Sequence, residues 1–233
     1  MKTLILWLIL LLLQFALCAI TYKLFGLIGL FGWISAAVIT ANIQVLKSVE
    51  LLGLAATLGN AIYGSINLST DLINEKYGKK ISEKAVYMGF FSLLTFTLIM
   101  QLVLKIPASV NDFAQGPMEA LFSFLPRLSA GSLIAFLVSQ LSDVHLFERI
   151  RRAFPSERAL WIRNNGSTLI SQLIDSVLFV LIAFWGIYPL DVLWQIVVST
   201  YLIKALSAIL DTPFVYLMRS MRPLWEYGAQ HGK

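Results

Sequence analysis

The chain has 233 residues, of which 58% are hydrophobic and only 13% are charged, and its mean hydropathy is +0.77. A soluble domain carries about 25% charged residues, so this composition excludes an ordinary soluble protein and indicates a chain that resides in lipid. The net charge of +5 does not point to nucleic acid, because the basic residues cluster in short connections between apolar runs, where membrane topology explains them.

Apolar runs of about 20 residues, the length that crosses a bilayer, predict a series of membrane spans. The first run, 4–20, is interpreted as an uncleaved anchor and not as a signal peptide, because it is long and ends in a poor cleavage site. The other predicted spans are 24–46, 51–70, 85–104, 128–147, 165–185 and 192–217. The predicted fold class is therefore all-α, a polytopic membrane helix bundle of seven spans.

Two connections have distinct features. The segment 106–127 contains Pro107, Pro117 and Pro126, so it cannot form one continuous helix. The segment 186–191, with Gly186 and Pro189, predicts a tight turn between the last two spans.

The distribution of Lys and Arg predicts the orientation. With these spans, thirteen of the eighteen cations fall on one side, four on the other and Lys204 within the last span. Cytoplasmic loops carry the excess of Lys and Arg. We therefore expect a protein of the cell membrane with its N-terminus outside and its C-terminus in the cytoplasm.

Polar residues recur at helical spacing inside four of the spans, and each of these stripes contains an Asp. The stripes are Asn60, Gly64, Asn67, Asp71 and Asn74; Ser132, Ser139, Gln140 and Asp143; Asn164, Ser167, Thr168, Ser171, Gln172 and Asp175 with Phe179; and Thr200, Tyr201, Lys204, Ser207 and Asp211. Small and polar residues can also simply hold transmembrane helices together. A buried carboxylate is costlier, about 2.5 to 3.5 kcal/mol on insertion scales, so Asp143, Asp175, Lys204 and Asp211 favour a shared polar cavity.

A short motif occurs twice. Residues 139–143 and 171–175 both read Ser-Gln-Leu-x-Asp, and Leu146-Phe147 recurs as Leu178-Phe179 at the same offset. Because consecutive spans run antiparallel, the two motifs are expected to face each other in opposite directions, as inverted elements do around a transporter site.

Several of these stretches together resemble one membrane-protein family. They are 70–78 (Thr-Asp-Leu-Ile-Asn-Glu-Lys-Tyr-Gly), the Ser-Gln-x-x-Asp at Ser139, the run 163–175 from Arg-Asn-Asn-Gly-Ser-Thr to Ser-Gln-x-x-Asp, and Lys204 followed by Asp211-Thr212-Pro213. The chain from about 41 to 218 resembles the queuosine precursor transporter family, also called the vitamin uptake transporter family. The resemblance implies import of 7-deazaguanine bases (preQ0, preQ1 or queuine) into the cytoplasm for tRNA modification.

The resemblance implies a six-helix core and a set of functional residues. The first span lies outside the resemblance and is interpreted as one extra N-terminal transmembrane helix. The expected units are an N-terminal anchor helix (1–22), a six-helix transporter domain (23–218) and a cytoplasmic C-terminal tail (219–233). The positions that the resemblance carries over are Asp71, Asn74, Glu75, Gln140, Asp143, Arg163, Asn164, Gln172, Asp175 and Lys204.

Together with the stripes, the carried-over positions give two predicted groups of site residues. The substrate-binding group is Asn67, Asp71, Gln140, Asp143, Gln172, Asp175, Phe179 and Lys204. The gate or structural polar group is Asn74, Glu75, Arg163, Asn164 and Asp211.

The chemistry of the residues agrees with a purine-like substrate. A carboxylate beside an amide matches the adjacent N–H donors and the carbonyl acceptor of a guanine-like edge. Phe179, Phe147, Tyr201 and Trp185 are candidates to stack on the ring, although aromatic residues in spans usually pack or anchor at the interface. Arg163 is expected to pair with Asp71 or Glu75 as a cytoplasmic gate.

Other classes are less well supported by the residues. Cys18 is the only cysteine, and His145 and His231 are far apart, so no metal site, cofactor or disulfide is expected. Protease and hydrolase motifs are absent. An ATP-driven uptake complex with this chain as its substrate-binding subunit remains an alternative; without a P-loop here, its ATPase would be a partner protein. A scaffold is a further alternative, and the sequence leaves the oligomeric state open.

Overall fold

The computed structural model describes residues 2–51, 54–123, 125–186 and 188–225, and within them the protein is a bundle of long α-helices. The predicted fold class, an all-α polytopic membrane bundle, is confirmed. Five described helices are long and apolar enough to cross a membrane. The predicted C-terminal tail lies outside the described residues from position 226 onward.

The first helix, α1 (Lys2–Gln44), consists of two antiparallel segments that meet at Gly26, which has φ +59°. The first segment runs parallel to α2 (Gly59–Tyr77), since Cys18 hydrogen-bonds Ser69 and Tyr22 hydrogen-bonds Tyr77. The second runs the opposite way: Trp33 donates to Ser65 (3.0 Å), and Gly59 lies against the carbonyl of Ala41. The two segments correspond to the first two predicted spans.

A short antiparallel hairpin separates α1 from α2. Strand β1 (Ser48–Leu51) pairs with β2 (Leu54–Thr57), with Ser48 opposite Thr57 and Leu51 opposite Leu54. The predicted start of the third span at residue 51 is therefore wrong, because the helix begins at Gly59. A short apolar run does not distinguish strand from helix.

The remaining helices follow the predicted order. They are α3 (Lys79–Val103), α4 (Gln115–Phe122), α5 (Leu125–Ala153), α6 (Leu160–Phe184) and α7 (Leu190–Ser220), with a 3₁₀ turn (Glu157–Ala159) before α6. As predicted, the segment 106–127 is not one helix. The predicted turn 186–191 has Gly186 at φ +78° and α7 beginning at Leu190, while residue 187 lies outside the described residues.

The two ends of the bundle differ in charge. We call the basic side the end with Gly26, the α2–α3 turn at Gly78, the α5–α6 connection and the end of α7. Contacts such as Lys23 to the Arg222 carbonyl and Lys76 to the Arg219 carbonyl join these parts. We call the hairpin side the opposite end, which carries β1 and β2.

Helix α2 is the centre of the bundle, since every residue from Gly59 to Asn74 is buried. It is not among the five helices apolar enough to be recognised as spans, because it carries Asn, Ser, Thr and Asp side chains. The other helices shield these groups from lipid, whereas α1 and α3 expose Leu, Ile and Phe side chains outward. A polar helix is stable at this depth only when protein surrounds it.

Replacing Gly26 tests the turn within α1. We expect Gly26→Ala to lower the thermal unfolding midpoint in detergent, because an added Cβ would lie 2.7 Å from the Trp225 carbonyl oxygen and the backbone has positive φ. Such strain costs about 1–3 kcal/mol. The matched control is Gly32→Ala, where an added Cβ meets nothing within 4 Å. Equal midpoints for both variants would contradict this account of the turn.

Candidate functional site

A cavity of about 580 Å³ lies in the half of the bundle nearest the hairpin side, between α1, α2, α5, α6 and α7. Its apolar wall includes Phe179, Phe184 and Ile196, and its polar lining includes Asn60, Gln195 and Thr200. Asp175 and Lys204 are the lining residues of α6 and α7 that lie farthest from the hairpin side. The cavity thus combines apolar walls with a charged floor, as small-molecule sites commonly do.

The floor is an ion pair between Lys204 and Asp175, and the side chain of each residue is 5% exposed. Ser139 on α5 donates a hydrogen bond to the other Asp175 oxygen (3.1 Å). The Lys204 ammonium also lies 4.8 Å from the centre of the Tyr63 ring, a distance typical of cation–π contacts. Groups from four helices therefore fix both charges in place.

On the basic side of the floor lies a layer of amide side chains centred on Asn67. Its side-chain oxygen accepts hydrogen bonds from Gln140 (2.7 Å) and Gln172 (3.3 Å), and Thr70 donates to Gln140 (3.3 Å). We call Asn67, Gln140 and Gln172 the amide layer. None of the three lines the cavity.

The two Ser-Gln-x-x-Asp motifs bind each other reciprocally. Ser139 donates to Asp175, and Ser171 donates to Asp143 (3.0 Å), so the serine of each motif holds the aspartate of the other. The glutamines of both motifs meet at Asn67. The prediction that the motifs face each other is confirmed, and the contacts have the pattern of an inverted pair around α2.

On the basic side of the amide layer, Asp71, Asp143 and Asp211 form a buried group that we call the acidic cluster. Each is at most 1% exposed, and each accepts one hydrogen bond from α6. The donors are Thr168 (to Asp71, 3.2 Å), Ser171 (to Asp143) and Asn164 (to Asp211, 2.8 Å). Among the described residues, no Lys or Arg forms an ion pair with any of the three, and one oxygen of each carboxyl has no hydrogen-bond partner.

A charged network lies between the acidic cluster and the basic side. Arg163 donates two hydrogen bonds to Glu75, of 3.0 and 2.6 Å, and Arg219 lies 3.0 Å from the same carboxylate. The side chains of Arg163 and Glu75 are only 2% and 5% exposed, which strengthens a bidentate pair. Of the two predicted partners of Arg163, the structure thus pairs it with Glu75 and not with Asp71.

The predicted site residues therefore fall at four levels. Asp175, Phe179 and Lys204 line the cavity; Asn67, Gln140 and Gln172 form the amide layer; Asp71, Asp143 and Asp211, with Asn164, form the acidic cluster; Asn74, Glu75 and Arg163 lie toward the basic side. Asn74 donates to the Val144 carbonyl (3.0 Å) and accepts Arg151 at its own carbonyl (3.2 Å).

Aromatic residues were predicted less well. Phe179 lines the cavity, whereas Phe147, Tyr201 and Trp185 are not among its lining residues. Sequence reasoning missed Tyr63, which lines the cavity beside Lys204. Its position, three residues after Asn60 and four before Asn67, places it on the same helical stripe, so the spacing alone could have identified it.

Across the described ranges, no three His, Cys, Asp or Glu side chains, those of the acidic cluster included, are arranged to bind a metal ion.

The long apolar helices, the enclosed polar helix and the cavity with a charged floor define a multi-pass membrane protein with an internal cavity of the size that small molecules occupy. The chain belongs to the vitamin uptake transporter family: the sequence model described as "Putative vitamin uptake transporter" matches residues 57–218. A relative from Bacillus subtilis (strain 168), a "Probable queuosine precursor transporter", is 48% identical over 217 residues, which cover 93% of this chain and 95% of the relative.

Two more distant relatives carry the same description. The "Queuosine precursor transporter" of Escherichia coli (strain K12) is 27% identical over 146 residues, or 63% of each chain. A "Probable queuosine precursor transporter" of Haemophilus influenzae is 26% identical over 147 residues, 63% of this chain and 60% of the relative. No solved structure matches the chain.

The floor ion pair generates a prediction about stability. We expect Lys204→Met to lower the unfolding midpoint strongly, because it leaves the Asp175 carboxylate buried without its countercharge, a loss of about 3–5 kcal/mol. The double variant Lys204→Met with Asp175→Asn removes both charges and should recover most of the midpoint. The pair would have no structural role if the single variant unfolded at the wild-type temperature.

Proposed function

We propose that this protein imports queuosine precursors, 7-deazaguanine bases such as preQ0, preQ1 or queuine, across the cell membrane into the cytoplasm. The names of the relatives support this substrate class. The observation that carries the proposal is the Asp175–Lys204 pair at the floor of an amphipathic cavity. No second function is favoured by a specific contact.

The floor suits the edge of a guanine-like base. Such an edge presents adjacent N–H donors, which the Asp175 carboxylate would accept, beside a carbonyl oxygen, to which the Lys204 ammonium would donate. A substrate bound in this way would replace the direct contact between the two side chains. Each charged side chain would then be hydrogen-bonded to the substrate while the site is occupied, which avoids the cost of an unpaired buried charge.

The walls suit the face of the ring. Phe179 and Tyr63 border the floor, and an aromatic ring stacked or tilted against a flat heterocycle contributes about 0.5–1.5 kcal/mol beyond area burial. A volume of about 580 Å³ lies within the range of about 300–1,000 Å³ usual for small-molecule sites. A bicyclic base fits this cavity together with several water molecules.

We place the basic side in the cytoplasm, since cytoplasmic loops carry the excess of Lys and Arg. The cavity then belongs to the external half of the bundle, while the amide layer and the Arg163–Glu75–Arg219 network close the cytoplasmic half. Import would require the opposite half to open after the substrate has bound, as in alternating access around inverted elements. The Arg163–Glu75 pair is our candidate for the cytoplasmic gate.

The division of the chain remains a proposal. The family match, 57–218, lies inside the predicted transporter domain 23–218. We propose that residues 1–22 serve as an anchor and that 219–233 form a cytoplasmic tail.

Uptake by an Asp175→Asn variant tests the substrate site. We expect uptake of labelled preQ0 by cells unable to synthesise it to fall about tenfold to a hundredfold, since hydrogen bonds to a charged group contribute about 1.5–3 kcal/mol. Queuosine in tRNA should fall in parallel. Asp191→Asn, at an exposed position in the first turn of α7, is the matched control and should import normally.

Expression must be equal for this comparison to be informative. The double variant Asp175→Asn with Lys204→Met, which leaves no unpaired charge, should fold well and still fail to import. Normal uptake by a well-expressed Asp175→Asn protein would contradict the assignment of Asp175. Uptake that requires ATP and a copurifying ATPase would contradict a carrier that acts by itself.

A charge swap tests the gate. Glu75→Arg and Arg163→Glu should each reduce uptake, because each brings like charges together at a buried position. The double variant should recover part of the loss, with a coupling energy of about 1–3 kcal/mol; recovery is incomplete because Arg219 would then face a cation. A double variant no better than the worse single variant would show that the two residues do not act as a pair.

A further inference from the structure

We propose that the acidic cluster, Asp71, Asp143 and Asp211, binds the proton that drives transport, so that this protein is a proton symporter. The inference rests on the proposed function, because it assigns an energy source to the same carrier. It also assigns Asp71 and Asp143 to proton binding in place of direct substrate contact, since neither lines the cavity.

The acidic cluster gathers three buried carboxyl groups. They come from α2, α5 and α7, each is at most 1% exposed, and all three are held by successive turns of α6, through Asn164, Thr168 and Ser171. Within the described residues, none forms an ion pair with a cation. Like charges buried this close together cannot all remain ionised, so the cluster holds at least one proton in this closed arrangement.

Hydrogen-bond donors are in short supply around the cluster. One oxygen of each of its three carboxyls has no partner, and neither have the amide oxygens of Asn74, Asn164 and Gln172 on the same helical stripes. The Asn164 amide already donates to Asp211, so its unpartnered oxygen lies at the cluster and is fully buried. What the region lacks is donors, and a proton on a carboxyl supplies one.

Asp71 and Asp143 are neighbours within the cluster. Thr168, which donates to Asp71, and Ser171, which donates to Asp143, lie about one turn apart on α6, so the two carboxyls are held side by side. Carboxylates only accept hydrogen bonds, so a bond between them requires one to carry the proton as O–H and the other to accept it. Release of that proton would leave two facing carboxylates, whose repulsion would favour separation of α2 from α5.

The surrounding titratable groups do not supply the missing positive charge. Lys204 is bound to Asp175, and Arg163 and Arg219 are bound to Glu75. On α1, Cys18 hydrogen-bonds Ser69 and supplies no positive charge. On α3, which packs against α2 and α5, the titratable side chains are all at least partly exposed: Lys79, Lys80, Glu83, Lys84 and Tyr87. The cluster is therefore neutralised by protons and not by its neighbours.

The motif pair links this proton to the substrate floor. Ser171 binds Asp143 in the cluster, Ser139 binds Asp175 in the floor, and the two glutamines meet at Asn67 between them. A change of position of α5 relative to α6 would alter both aspartates at once. Such a shared element is what coupling between two sites requires.

The test uses the purified full chain in liposomes with labelled preQ0, which is neutral, so that any charge moved belongs to the coupling ion. With one proton per base, an inward gradient of one pH unit should support about tenfold accumulation of preQ0. Addition of preQ0 should also draw protons into the liposomes, as recorded by a trapped pH-sensitive dye.

Asp71→Asn should remove the coupling. An Asn side chain keeps a hydrogen-bond donor beside Asp143 but has no proton to bind or release, so preQ0 should still equilibrate across the membrane while its accumulation under the pH gradient falls to about onefold. Asp211→Asn is the second variant, and the same loss of gradient-driven accumulation is expected. Asp191→Asn should behave as wild type in both assays.

The outcomes distinguish the two levels of the proposal. Proton coupling would be overturned if wild type exchanged preQ0 but a pH gradient drove no accumulation, or if both cluster variants accumulated preQ0 as wild type does. Either result would leave the proposed function intact. Accumulation driven by Na⁺ and not by pH would overturn the proton as the ion. Absence of preQ0 exchange in wild type would overturn the proposed function and, with it, this inference.

Discussion

The bundle depends on one constraint, namely that polar side chains inside a membrane must find their partners within the protein. Helices α5 and α6 satisfy this constraint through the reciprocal hydrogen bonds Ser139–Asp175 and Ser171–Asp143. Asn67 on α2 then accepts both motif glutamines. This arrangement fixes α2 at the centre of the bundle. It also divides the interior of the bundle into a cavity on the hairpin side of the amide layer and the acidic cluster on its basic side.

Much of the site was predictable, because burying a charge in a membrane is costly and leaves a clear trace in the sequence. Asp143, Asp175, Lys204 and Asp211 stand out from apolar surroundings, and helical spacing indicates the inward face of each helix. The repeated Ser-Gln-x-x-Asp motif predicted a facing pair. The excess of Lys and Arg at one set of connections likewise predicted which helix ends lie on the same side.

The levels within the site were not predictable, because spacing along a helix does not reveal depth or the partner across the bundle. The pairing of Arg163 with Glu75 and not Asp71, and the position of Asp143 beneath the amide layer, depend on how the helices are shifted along each other. The hairpin before α2 was missed since its residues are as apolar as a span. Tyr63 was overlooked because an aromatic residue in a span is usually read as packing.

The account is tested most directly by chemical labelling of a cavity residue. Cys18 is the only cysteine and is buried, so Thr200→Cys, at a position that lines the cavity, adds a single accessible thiol. The account predicts that a membrane-impermeant thiol reagent labels it from outside intact cells and that preQ0 slows the reaction. Labelling from the cytoplasmic face alone, or a rate that saturating preQ0 leaves unchanged, would contradict it.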